Sequence, residues 1–173
     1  MSILIYAESA EGKFKKVALE LASYAKKIAE SLGTTVTALT VNAGDVSELS
    51  KYGVNKVLKV NNDKLAGFTA KAYADVIKQA AIKEAAKVVL LSSTTDSIYL
   101  APLAAVALEA GYASNVVGLP VSTSPFQVKR TAFSNKAFNI TEISTDVKVL
   151  SLAKNTYGIF ENASSLTEED FNP

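Results

Sequence analysis

Ser2–Tyr6 (SILIY) is apolar and rich in β-branched residues, as a short buried strand would be, and the first charge after it is Glu8. From Phe14 the period changes. Phe14, Val17, Ala18, Leu21, Ala25, Ile28, Ala29 and Leu32 recur at helical spacing, while Lys15, Lys16, Lys26, Lys27 and Glu30 take the other side. Gly33 supplies the C-terminal stop. TTVTALTV (Thr34–Val41) predicts a second strand, a loop or short helix runs through Asp45–Lys51, and NKVLKV (Asn55–Val60) predicts a weaker third strand. A second helix is predicted over Thr69–Glu84, with Tyr73, Val76, Ile77 and Ala80 inward. KVVLL (Lys87–Leu91) is a continuous apolar run, as expected of a parallel strand covered on both faces.

The next helix is predicted over Ile98–Ala110, with Leu100, Leu103, Ala104, Ala107 and Leu108 inward. Pro102 has no N–H to donate, so it belongs in a first turn and places the helix start near Tyr99–Ala101. Val116–Leu119 reads as a short strand. After Pro120, the segments Gln127–Phe133, Ala137–Ile143 and Val147–Leu152 read as three strands without helices between them. The expected architecture is α/β: a three-layer sandwich on a mostly parallel sheet, of nucleotide-hydrolase or universal-stress type, with a C-terminal antiparallel hairpin extension. Residues 1–160 form one expected domain, and 161–173 are expected as a polar tail or the start of a linker.

Composition narrows the chemistry. The 173 residues include no Cys and no His. Thiol nucleophiles, disulfides, imidazole general bases and His-based metal sites are therefore excluded. A formal net charge of +1 gives no basic stripe for nucleic acid and no polybasic patch for a membrane surface. No apolar run has the length of a membrane span, so no membrane insertion is expected and the location is expected to be cytoplasmic.

In such sheets ligands favour the carboxyl ends of strands near a switch in strand order, which singles out the loops Ala7–Lys13 and Ser92–Ser97. SSTTDS resembles the SGGxDS loop of ATP-pyrophosphatases, but Ser93 and Thr94 stand where glycines would let the backbone curl around phosphate. Thr95, Asp96 or Ser97 as an N-cap is the competing explanation. In the first loop Glu8 and Glu11 would repel phosphate. An adenine-nucleotide module using Glu8, Ser9, Thr94, Thr95, Asp96 and Ser97 is thus an alternative, and no metal or catalytic site is expected. A self-associating domain, its hairpins pairing in a homodimer, is a further possibility.

Three segments together resemble one family. ILIYAESAEGKFKKVALELASYAKKIAESLG carries a strand, an acidic loop ending in Gly-Lys, and a helix with an embedded Leu-Glu. AAKVVLLSSTTDSIYLAPLAAVALEAGYASNVVGL carries a strand, a helix with Leu-Ala-Pro and a small-residue turn. In VKRTAFSNKAFNITEISTDVKVLSL an Arg precedes a short turn and two hairpin strands. These resemble the N-terminal domain of the electron transfer flavoprotein α subunit.

The resemblance implies a non-catalytic scaffold in an αβ heterodimer that carries electrons from flavoprotein dehydrogenases to a quinone reductase. It implies FAD on a C-terminal domain absent from this chain, so no FAD ligand transfers to these residues. Ser97-Ile98-Tyr99 stands where the family has a Gly-Arg-Asp-like or Gly-Lys-Asp-like triplet, Asn115 where it has Asp, and Ser134 where it has Gly. Ser97, Ile98, Tyr99, Arg130, Phe133 and Asn135 are accordingly the candidate partner-facing residues.

Overall fold

A computed structural model describes residues 2–173. Strand β1 (Ser2–Tyr6) leads into a small hairpin of β2 (Ser9–Ala10) and β3 (Lys13–Phe14), then helix α1 (Lys16–Leu32). Strand β4 (Thr35–Val41), a 3-10 turn at Ser47–Tyr52, β5 (Lys56–Val60) and a second 3-10 turn at Asp63–Leu65 follow. Next come α2 (Ala70–Lys83), β6 (Val88–Ser92), α3 (Ser97–Ala107) and β7 (Gly111–Val116). The chain closes with β8 (Ser122–Thr123), β9 (Phe126–Ala132), β10 (Ala137–Glu142), β11 (Lys148–Leu152) and β12 (Thr167–Asp170).

The main sheet runs β10-β9-β7-β11-β6-β1-β4-β5-β12, with β8 beside β9. From β7 to β12 it is parallel, while β9 joins it antiparallel and pairs with β10 as a hairpin. Side chains alternate across the pleat. Ile3 and Ile5 of β1, like Val88 and Leu90 of β6, pack toward α1. Leu4, Tyr6, Val89 and Leu91 pack toward α2 and α3. Both faces are covered, which is why these strands read as unbroken apolar runs. Gly33 ends α1 at φ 62, and its N–H reaches the Glu30 carbonyl.

The three-layer α/β sandwich and its antiparallel hairpin are as expected, while several elements differ in detail. Phe14 lies in β3, before the helix, because the β2–β3 hairpin claims its backbone. The strand expected at Val116–Leu119 is instead Gly111–Val116, hidden by a polar interruption at Ser114-Asn115. Val147–Leu152 does not extend the hairpin: β11 inserts parallel between β7 and β6, where its apolar side chains are covered on both faces. Pro102 is the sixth residue of α3, whose start at Ser97 precedes the expected one.

The segment expected as a polar tail contributes β12, which pairs with β5 through Thr167–Asp170. Its acids explain why it lies on a sheet edge: Glu169 bridges Lys56 at 2.8 Å and Lys83 at 2.7 Å, and Glu168 meets Lys59 at 3.1 Å. To reach that edge the chain crosses the α1 face. There Tyr157 packs edge-on against Tyr24, and Phe160 packs against Tyr157.

Candidate functional site

Strand β4 lies on one side of β1 and β6 on the other, so the strand order reverses at β1–β6. This geometry opens a crevice at the carboxyl ends of the two strands. The two loops singled out from sequence meet there, and a side chain of the protein itself, Glu8, occupies the space between them. Glu8, only 4% exposed, receives hydrogen bonds at Oε1 from Thr94 Oγ1 at 2.5 Å and Ser97 Oγ at 3.3 Å. Lys15 Nζ reaches its other oxygen at 3.0 Å. A buried carboxylate is tolerated when a cation and hydroxyl donors compensate its lost hydration, and all of these are supplied here. An incoming phosphate would meet this negative charge instead of a ring of free N–H groups.

The remaining residues of the nucleotide alternative are placed differently. Ser9 turns away into the small hairpin, with Oγ donating to the Val41 carbonyl at 3.4 Å. Thr95 and Asp96 border a shallow cavity of about 270 Å³ with Lys15, Lys16 and Lys154. The N-cap expectation is also modified: Asp96 occupies the cap position without a side-chain cap bond, and Thr94 Oγ1 accepts from the Ser97 N–H at 3.3 Å. The reason is geometric. Asp96 has helical φ and ψ, so the side chain facing the first free N–H lies two residues earlier.

The candidate partner-facing residues divide. Ser97 is 1% exposed and bonded to Glu8, so it is an interior residue and offers no side chain to a partner. Ile98, Tyr99 and Val106 are 66%, 65% and 77% exposed, and with half-covered Leu103 they make an apolar stripe along α3. This helix is hydrophobic all round, and only one side faces the sheet and α2. Arg130 is partly buried, and its Nη2 donates to Ser114 Oγ at 3.0 Å. Phe133 is 83% exposed at the hairpin tip beside exposed Asn135. Phe133, Ser134 and Asn135 all have positive φ, at 50, 51 and 66 degrees.

One structural centre appeared in the sequence only as the embedded Leu-Glu of the first helix, with no role attached to it. Glu20, in the middle of α1, accepts backbone N–H bonds from Asn155 and Tyr157 at 2.9 Å and Gly158 at 3.0 Å. Burial raises its carboxyl, but those N–H groups outweigh it and hold the carboxyl below the ordinary range. The signal was an acid between two leucines, Leu19 and Leu21, at a position the helical period turns inward.

The fold and this site define a doubly wound α/β domain whose switch-point crevice is occupied by its own carboxylate. Residues 3–169 match the electron transfer flavoprotein domain. An electron transfer flavoprotein subunit alpha from Thermoanaerobacterium thermosaccharolyticum is 32% identical over 123 residues, covering 69% of this chain and 37% of that protein. The corresponding subunit from Clostridium acetobutylicum is 30% identical over 122 residues, covering 69% of this chain and 36% of that protein. Subunit LctC of a lactate dehydrogenase (NAD(+),ferredoxin) from Acetobacterium woodii is 30% identical over 112 residues, covering 63% and 27%.

The chain belongs to the electron transfer flavoprotein domain family, in the form found at the N-terminus of α subunits. It spans about a third of the length of the two α subunits and about a quarter of LctC. Among the described residues, no helix is long and apolar enough to cross a membrane.

Proposed function

We propose that this chain acts as a non-catalytic scaffold in an electron transfer flavoprotein. It orients an FAD-bearing domain and packs against a β subunit, in a cytoplasmic complex that takes electrons from flavoprotein dehydrogenases toward a quinone reductase. The observation that carries this reading is the closed switch point. Glu8 occupies the strand-end crevice where ligands of such sheets bind, which supports FAD lying elsewhere in the complex. The uncovered stripe of Ile98, Tyr99, Leu103 and Val106 supports a protein partner on α3. Arg130, Phe133 and Asn135 extend the candidate surface to the hairpin. The carboxylate in the crevice counts against the adenine-nucleotide alternative.

The test is capture of a β subunit encoded in the same genome by the tagged chain, with flavin absorbance measured on the chain alone. Binding is expected to weaken about tenfold or more in an Ile98→Asp, Val106→Asp double variant, since buried apolar anchors dominate such interfaces. Stoichiometric FAD on the isolated chain, or undiminished capture by the double variant, overturns the reading. A homodimer would show as concentration-dependent sedimentation of the isolated chain.

A further inference from the structure

On the other side of β6 from the filled crevice lies a cavity of about 390 Å³, lined by Ser93, Ser97, Ile98, Tyr112, Ser114, Asn115 and Ser151. Its size falls within the usual range for small-ligand sites, and its wall concentrates hydroxyl groups. It is built by an irregularity. Leu150 pairs with Ala113 and Leu152 with Val116, so Ser114 and Asn115 together oppose the single residue Ser151. Such bulges are rare in parallel pairs and re-aim side chains. Asn115 takes φ 52, and its N–H points at Ser151 Oγ, 3.4 Å away. Ser151 Oγ also lies 3.1 Å from the Tyr112 hydroxyl.

Two buried side-chain atoms lack a hydrogen-bond partner among the described residues, Ser93 Oγ and Arg130 Nε. Ser93 lines this cavity, and Arg130 lies one hydrogen bond behind its wall through Ser114. Arg130 is the single arginine of the chain. The ion pairs found among the described residues are all made by lysines, so no carboxylate neutralises this guanidinium. Arg130 does not itself line the cavity; what reaches the space is its positive charge, through Ser114, whose Oγ accepts from its Nη2. The carboxylate connected to the cavity, Glu8 through Ser97, is already paired with Lys15.

We propose that this cavity binds a small oxyanion, a carboxylate or phosphate group, through the hydroxyls of Ser93, Ser114 and Ser151, with Arg130 supplying positive charge from behind Ser114. Ser93 lines the space, and its hydroxyl has no partner among the described residues to give up. The site is distinct from the closed switch point and does not rest on the partner reading. Its test uses the isolated chain, so failure of either proposal leaves the other standing.

The experiment is calorimetry of the full chain with inorganic phosphate, acetate and succinate in separate titrations. Saturable binding of at least one is expected. Phosphate alone identifies a phosphate site, the acids alone a carboxylate site. Arg130→Gln is expected to weaken binding about tenfold or more, because charge-assisted bonds are roughly twice as strong as neutral ones. Ser93→Ala removes only a hydroxyl and is expected to weaken binding several-fold with an unchanged circular dichroism spectrum. Should Arg130→Gln fail to fold, Ser93→Ala and competition by added chloride carry the decision. The proposal is overturned if no probe binds saturably up to about 10 mM, an affinity below the weakest useful range. Undiminished binding by Ser93→Ala, or by a folded Arg130→Gln, overturns it equally.

Discussion

Replacing Glu20 by Gln changes one atom of a buried side chain and tests how residues 155–160 are held on α1. The carboxylate accepts three backbone N–H bonds, from Asn155 at Oε2 and from Tyr157 and Gly158 at Oε1. A glutamine keeps an oxygen for the Tyr157–Gly158 pair but turns an NH₂ group toward the Asn155 N–H, donor against donor. The two surviving bonds also lose their charge. A hydrogen bond to a charged group contributes about 1.5–3 kcal/mol and a neutral one about 1, while a stranded buried donor costs about 1–3. Because the three share one acceptor, they do not add fully, and we expect a loss of about 2–4 kcal/mol.

Urea unfolding at neutral pH measures this loss. For a domain of this size it corresponds to a melting temperature lower by roughly 4–16 °C. The pH dependence has a definite sign. The N–H groups hold the Glu20 carboxyl below its unfolded value, so its contribution is full above the unfolded value. It is lost as pH falls through the lower folded value, and the gap between native protein and Glu20→Gln must close in acid. A difference below about 0.5 kcal/mol at neutral pH, typical of an unimportant surface change, would refute the clamp.

Other consequences follow from single positions. The Glu169 carboxyl is pulled down to about 2 by hydrogen bonds from Lys56 and Lys83, so β12 pairing should be complete above the ordinary carboxylate value and loosen as pH falls toward the lower one. Carbon NMR of Glu169 in a Lys56→Met variant should titrate closer to the ordinary 4.5, and an unmoved titration would contradict the pairing. Ser134→Gly relieves a non-glycine residue at φ 51 and should raise stability by about 0.5–1 kcal/mol in urea unfolding; a loss would mean that the turn does not strain Ser134. Gly111→Ala would place a Cβ 2.5 Å from Ile143 Cγ2 and 2.7 Å from Thr145 Oγ1, so a melting scan should show about 1–3 kcal/mol of destabilisation, and no change would mean that the Ile143 turn gives way freely.

Local pattern and tertiary arrangement divided the work unevenly. The periods of Ser2–Tyr6, of Val17–Leu32 and of Val88–Leu91 identified a strand, a helix and a buried strand, because each depends only on which faces of one segment avoid water. The same periodicity could not say that β11 enters the middle of the sheet, since a strand's pattern records that both faces are buried and not by what. Nor could it anticipate β12: four polar residues become a strand beside β5, where Lys56 and Lys59 of that strand and Lys83 at the end of α2 meet its acids.

The candidate site shows the same limit. Both loops were legible as the ends of parallel strands, and Glu8, Thr94 and Ser97 were named among their residues. That the carboxylate closes the crevice depends on a contact across 86 positions of chain, set by the strand order rather than by either loop. The cavity beyond β6 was hidden for a related reason. Ser114-Asn115 looked like a break in a strand, and only the pairing with β11 turns that break into a bulge that gathers hydroxyls from β7, β11 and the loop after β6 beside Arg130. For this protein, sequence alone determined which segments bury a face and which chemistries are absent. Tertiary structure decided which polar groups meet, because hydrogen bonds and ion pairs act over a few ångströms and leave no periodic trace along the chain.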